Sequence, residues 1–222
     1  LFAVACTARA QLSGHISVLS DYRYRGESLS DGKPAVQAGL DYQHSSGIFI
    51  GALATTVDLD PEVSGVGAQL YGGYARALSQ RLSWEVGMVT YVFPHPQTEP
   101  GYSYTEAFIG INWQNAGVRL YYSDNYFGAG GSAGYVELNA TQPISSRVRL
   151  LEHLGYLQQG EPRSAGASQD RSLIDAQLGV GITVAGFQVE LSVIGTSDPH
   201  GMCPAGSGHC GTTGLVSVSR RF

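Results

Sequence analysis

The chain is poor in charge. Of its 222 residues, 13 are Lys or Arg and 18 are Asp or Glu, together 14%, against about a quarter in ordinary soluble domains. The net charge of −5 and the want of any basic stripe argue against a nucleic-acid partner. No run of about eighteen apolar residues occurs, so the sequence offers no transmembrane helix. Transmembrane strands are a separate matter: half of each faces water, and the mean hydropathy of −0.05 suits them. Catalytic signatures are also missing. The histidines, at 15, 44, 95, 153, 200 and 209, are scattered, and neither a G-x-S-x-G elbow nor an H-E-x-x-H helix is present. No cofactor fingerprint appears.

What the chain has is alternation. Residues 12–25 carry Leu12, Gly14, Ile16, Val18, Tyr22 and Tyr24 on one face. Ser13, His15, Ser17, Asp21, Arg23 and Arg25 share the other. Side chains on a strand change face at every residue, so this is strand patterning. A polar loop, 26–32, leads to 33–43, where Val36, Ala38, Leu40 and Tyr42 oppose Lys33, Gln37, Asp41 and Gln43. The turn Ser45-Ser46-Gly47 is short. Long strand, long loop, long strand, short turn is the unit that repeats. Further strands are expected at 48–58, 66–75, 82–93, 102–113, 118–124, 135–142, 148–158, 172–184, 187–196 and 212–222. Strand 48–58 sets Phe49, Leu53 and Val57 against Ala52, Ala54, Thr56 and Asp58, but opens with Ile48 and Ile50 on the second face. Strand 148–158 is the least tidy. Glu152 shares a face with Leu150, Leu154 and Tyr156, and a lipid-facing carboxylate is costly near a membrane midplane.

The tally is about twelve strands. Tilted strands of roughly nine to eleven residues are what a bilayer requires. An even number, with short turns and both termini at one end and long loops at the other, is the pattern of a bacterial outer-membrane barrel. The expected fold is therefore all-β, a single antiparallel transmembrane barrel with periplasmic turns and extracellular loops. A soluble β-sandwich also alternates, but with shorter strands and less regular loops. Leu1 to Cys6 is apolar, and Ala8-Arg9-Ala10 fits a small-x-small cleavage site. Residues 1–10 are thus expected to be the remnant of a truncated signal peptide, and 11–222 the barrel. Cleavage would remove Cys6 and leave Cys203 and Cys210, an even pair that an oxidising exterior favours as a disulfide. Zinc held by His200, Cys203, His209 and Cys210 is the weaker alternative. An acidic group, Asp58, Asp60 and Glu62, lacks an EF-hand spacing and reads as a solvated loop. No metal site is expected.

The stretch SDYRYRGESLSDGKPAVQAGLDYQHSSGIFIG, with YGGYARAL at 71–78, EVGMVTYVFP at 85–94 and YYSDNYFG at 121–128, resembles the TorF-type family of proteobacterial outer-membrane porins. The likeness covers most of 11–222. It implies a small barrel and porin activity, and it supplies neither a solute nor catalytic residues. The terminal aromatic, Phe222, on an alternating last strand with Val216 and Val218 resembles the signal read by the outer-membrane barrel assembly machinery. Arg220 on that face departs from it, tolerably so at a membrane edge.

The inward positions are expected to include Asp21, Arg23, Arg25, Asp41, Glu85, Glu106, Arg119, Glu137, Arg149, Asp175 and Glu190. Charges are too costly in lipid to face it. Either they line a water-filled pore, or they pair across the interior and close it. An eight-stranded barrel is filled by side chains and about sixteen strands leave a clear channel. Twelve lies between, and inward glycines such as Gly39, Gly73, Gly87, Gly110, Gly179 and Gly181 leave room. Tyr22, Tyr24, Tyr42, Tyr74, Tyr122, Tyr156, Trp84 and Trp113 are expected as aromatic girdles at the lipid interfaces. The expected function is passive diffusion of small hydrophilic solutes, with outer-membrane lipid as surroundings and no chemical step. A non-conducting structural or adhesion barrel is the alternative. A rim enzyme would need a His, an acid and a hydroxyl in hydrogen-bond reach.

Overall fold

The computed structural model of the protein describes residues 10–59, 64–94, 101–128, 131–160, 171–197 and 210–222. The alternating stretches become strands. In chain order these are β1 (Gln11–Leu19), β2 (Arg23–Tyr24), β3 (Glu27–Ser28), β4 (Ala35–Gln43), β5 (Ile48–Asp58), β6 (Ser64–Ala77) and β7 (Leu82–Val92). Then come β8 (Tyr104–Trp113), β9 (Ala116–Ser123), β10 (Ala133–Pro143), β11 (Val148–Gln159), β12 (Arg171–Val184), β13 (Phe187–Ser197) and β14 (Thr213–Arg221). All but β2 and β3 form one closed antiparallel barrel of twelve strands. Each barrel strand pairs with the next one along the chain, and β1 pairs β14 to close the ring.

The connections sort by end. Those at 44–47, 78–81, 114–115, 144–147 and 185–186 are short, and the start of β1 and the end of β14 lie beside them. Two of these turns have only two residues, and in the one between β12 and β13 Ala185 and Gly186 are both at positive φ (50° and 82°), the backbone that such a hairpin requires. The remaining strand ends lie at the other end, where the connections are longer in sequence and 20–34 is the one described throughout.

Polarity is inverted relative to a soluble protein. Ile174, Leu178, Val180, Ile182 and Val184 of β12 are all exposed on the outside, whereas Glu106 and Asp175 inside are 1% and 0% exposed. An apolar outer belt around a polar interior is how a barrel meets lipid. On β5 both faces are apolar, and the barrel decides between them. Ile48 and Ile50 face outward, while Val57 joins a cluster inside the barrel and Phe49 packs against it. Glu152 does face outward. It sits between Leu150 and Leu154 on its own strand, with Ala140 and Leu178 beside it, at the middle of the apolar belt.

The first strand is where the expected pattern fails. β1 ends at Leu19 and not at residue 25. The chain then leaves the wall, and β2 and β3 form a small hairpin folded into the barrel. Its turn is Arg25-Gly26, both at positive φ (50° and 82°). A Cβ on Gly26 would strike Asp175 Cβ at 2.8 Å and the side chain of Thr196, so glycine is needed there on two counts. Tyr22 and Tyr24 consequently pack into the interior cluster and are not girdle residues. The other six do lie on the outside. Tyr42, Tyr122, Tyr156 and Trp113 are exposed, and Tyr74 packs on Trp84 with ring centroids 5.8 Å apart.

Candidate functional site

The lumen is divided by the inner hairpin, which reaches from the β1–β4 side to the opposite wall. Arg25 at its tip makes two hydrogen bonds to Glu106 of β8, Nη1 to Oε1 at 2.9 Å and Nη2 to Oε2 at 2.6 Å. The guanidinium lies 4.2 Å from the ring centroid of Tyr135, 4.8 Å from Tyr24, 5.2 Å from Tyr121 and 5.4 Å from Tyr126. A cation over aromatic faces in a desolvated site is held by the ring quadrupoles as well as by its counter-ion. Burial alone would lower the Arg25 pKa, but the phenols and Glu106 outweigh it and hold it above its ordinary value. The hairpin is braced at its base. Arg23 Nε donates to Asp21 at 2.6 Å and its Nη1 to the Gly26 carbonyl at 2.9 Å, while Ser28 and Ser30 donate to Asp21 at 2.5 and 3.0 Å. Gln69 of β6 donates to the Tyr22 hydroxyl at 2.9 Å. Burial pushes that hydroxyl up to about 12.

Beyond the hairpin the wall carries further linked charges. Arg119 holds Glu85 at 2.6 Å, reaches the Tyr121 hydroxyl at 2.9 Å and lies 3.8 Å from Glu137. Arg149 holds Glu190 at 2.5 Å. His153 Nε2 lies 2.5 Å from Asp175 Oδ2, its Nδ1 is 2.7 Å from Asn139, and the Tyr135 hydroxyl donates to Asp175 at 3.1 Å. Asp41 accepts from Tyr71 and lies 3.9 Å from His15.

The eleven charged residues turn into the barrel interior, where they are linked to partners and do not stand as an open ring of charges. Sequence reasoning did not single out Tyr71, Tyr121, Tyr135, His15, His153 or Arg221 as lumen groups. Each sits on the inward parity of its strand, which was the available signal. A His, an acid and a hydroxyl do meet at His153, Asp175 and Tyr135. The hydroxyl is a phenol, and the group lies in the barrel wall and not on the outer rim.

Two spaces lie in the lumen among the described residues. One, about 190 Å³, is lined by Asp41, Tyr71, Glu85, Arg119 and, on the short-turn side, by Gln11, Gln43 and Arg221. The other, about 240 Å³, lies against the hairpin and is lined by Arg23, Arg25, Glu137, Asn139, His153, Asp175 and Gln177. Tyr91 and Tyr121 border both. Cys203 and the zinc and acidic-loop candidates His200, His209, Asp60 and Glu62 lie outside the described residues, as do residues 1–9. Among the described residues no group of three His, Cys, Asp or Glu side chains could hold a metal ion.

The family described as "Bacterial protein of unknown function (Gcw_chp)" matches residues 4–220. No curated protein matches. Solved structures share the fold at low identity. The COG4313 outer membrane channel from Pseudomonas putida F1 is 11% identical, with a TM-score of 0.59 over 98% of this chain and 97% of that one. The NanC porin is 11% identical, with a TM-score of 0.55 over 92% of this chain and 97% of its own. The KdgM porin, also 11% identical, has a TM-score of 0.54 over 95% and 99%.

Proposed function

The chain belongs to the Gcw_chp family, whose description assigns no activity, and from its barrel we propose an outer-membrane channel for passive diffusion of small hydrophilic solutes. The observation that carries this reading is the charged lumen of a closed twelve-stranded barrel, with a space of about 190 Å³ on its short-turn side. Buried charges are expensive, and a barrel that served only as a scaffold would be filled more cheaply by apolar side chains. The likeness in fold to two porins and an outer-membrane channel supports it, as does the resemblance to TorF-type porins. The protein resides in the Gram-negative outer membrane as residues 11–222 after loss of a signal peptide. The assembly machinery engages it through Phe222, and Cys203 pairs with Cys210. It is not an enzyme: solutes move down their gradients with no bond made or broken. The eleven inward charged residues line the path.

One observation favours a second reading. The hairpin crosses the lumen and buries Glu106 and Asp175 almost completely, which suits a barrel that is closed at rest. Single-channel recording of refolded 11–222 in a planar bilayer tests both. Discrete conductance steps support the channel. A heat-modifiable but silent barrel that stays silent when residues 21–32 are replaced by a short Gly-Ser linker overturns it.

A further inference from the structure

One row of cross-strand partners runs around the inside of the wall from β5 to β9. It reads Phe49, Gly73, Gly87, Phe108 and Tyr121. Two adjacent glycines are flanked by rings on both sides, and the rings use the room. A Cβ on Gly73 would meet Phe49 Cζ at 2.8 Å, and one on Gly87 would meet Phe108 Cζ at 2.6 Å. Phe49 and Phe108 thus reach over the bare strands between them, their rings 29° from parallel and their centroids 6.4 Å apart. Tyr121 extends the surface, its centroid 5.8 Å from that of Phe108. All three rings line the short-turn-side space, where they make an apolar platform in the lumen wall.

The edge of the platform supplies a second, independent observation. The next row toward the short turns holds Glu85, Gly110 and Arg119. Glu85 takes its hydrogen bonds on one oxygen. Arg119 Nη2 at 2.6 Å, Arg119 Nε at 3.2 Å and Asn112 Nδ2 at 3.3 Å all donate to Oε1. Oε2 accepts from no donor among the described residues. Asp41 likewise accepts from Tyr71 on Oδ1 and leaves Oδ2 open, with His15 3.9 Å away. The space is lined by two carboxylates, Asp41 and Glu85, and two arginines, Arg119 and Arg221, so neither sign prevails. Open acceptors beside an apolar platform, with the charges in balance, suit a neutral solute that has hydroxyls to donate and one apolar face.

Given the channel reading, on which this rests, we infer that the short-turn-side space is a stacking site for neutral saccharides. A sugar ring lays its C–H face on Phe49, Phe108 and Tyr121, and its hydroxyls donate to Glu85 Oε2 and Asp41 Oδ2. A linear polyol has the hydroxyls without the face. An ion gains little from the platform and meets both signs at its edge.

Liposome swelling with the refolded barrel compares glucose with sorbitol, a linear polyol of nearly the same mass. Glucose is expected to enter several-fold faster. Phe49→Leu/Phe108→Leu keeps apolar bulk over the glycines but removes the ring faces, and it should bring the two rates together. Equal rates in the unaltered barrel, or a preference that survives in the variant, overturn the inference and leave the channel standing. If neither solute enters, the channel reading fails and binding decides the rest. Saturation-transfer NMR is then run from the aromatic protons of the protein, in a detergent without a sugar headgroup. Transfer to the C–H protons of glucose, absent for sorbitol and lost in the variant, upholds the site. No transfer, or equal transfer to both, overturns it. Should the double variant fail to give a heat-modifiable barrel, Phe49→Leu alone, at a half-buried position, takes its place in both measurements.

Discussion

Phe222 lies across Gly14. Their backbones exchange two hydrogen bonds, Gly14 N to Phe222 O at 2.8 Å and Phe222 N to Gly14 O at 2.9 Å, and a Cβ on Gly14 would meet the Phe222 ring at 2.7 Å. The ring covers a bare stretch of β1 at the seam where the barrel closes. Gly14→Val should displace it. The expected outcome is a lower yield of the heat-modifiable folded form on gel, while Gly14→Ala, with a smaller intrusion, loses less. Equal yields for both variants and wild type would show that the ring does not help seal the seam.

Arg25 and Glu106 should behave as a coupled pair. Removing one partner of a buried ion pair typically costs about 3–5 kcal/mol, because the other charge is stranded. Arg25→Ala should therefore lower unfolding stability by about that much, and adding Glu106→Gln should recover a large part. Denaturant unfolding of the single and double variants in detergent gives the coupling directly. Additive losses would mean that the two side chains do not act as a pair.

The hairpin should limit conductance. Replacing residues 21–32 by a Gly-Ser linker removes Tyr22, Tyr24 and Arg25 from the lumen and should raise single-channel conductance several-fold. An unchanged conductance would place the constriction elsewhere.

Alkali should loosen the hairpin. In the unfolded chain Tyr22 loses its proton near 10.0, whereas in the folded protein burial holds it to about 12. A raised folded value leaves stability intact below pH 10 and removes it as pH climbs from about 10 to about 12. The folded fraction should be flat to pH 10 and fall above it, and Tyr22→Phe should flatten part of that fall. A profile identical in wild type and Tyr22→Phe would remove Tyr22 from the account.

Glu152 is an outward carboxylate in the apolar belt, without an ion pair or hydrogen bond among the described residues. Glu152→Leu should stabilise the barrel in lipid by about 1–2 kcal/mol, measured by urea unfolding in vesicles. Destabilisation would mean that a partner outside the chain uses it.

The wall of the barrel was legible because lipid and water enforce strict alternation, and ten later strands reveal themselves within a few residues of their ends. Glu152 was placed correctly by parity alone. Parity failed after Leu19, because the same alternation runs on through Asp21, Tyr22, Arg23, Tyr24 and Arg25 into a segment that has left the sheet. Aromatic residues suit a lipid girdle and a dry lumen equally, so Tyr22 and Tyr24 carried no sign of which side they would take. The identity of the inward charges was legible, since polar residues on a spanning strand have only one place to go. Their pairing was not, because Arg25 and Glu106 stand 81 positions apart and meet only when a loop folds across the barrel. Whether such a lumen is open or crossed depends on contacts that no local pattern records.

The seam between β1 and β14 also sets the order of events in assembly. Every other pairing in the ring joins strands that are near neighbours in the chain, so each can form by closing a short loop. The register His15 to Arg221 joins the two extremes. Closing so long a segment carries the largest entropic cost of any contact in the molecule, although that cost grows only slowly with length. The ring is therefore expected to stay an open ribbon with two unsatisfied edges until β14 has been made. An edge of that kind recruits neighbouring chains, so a need for an escort until the ring closes is built into this topology.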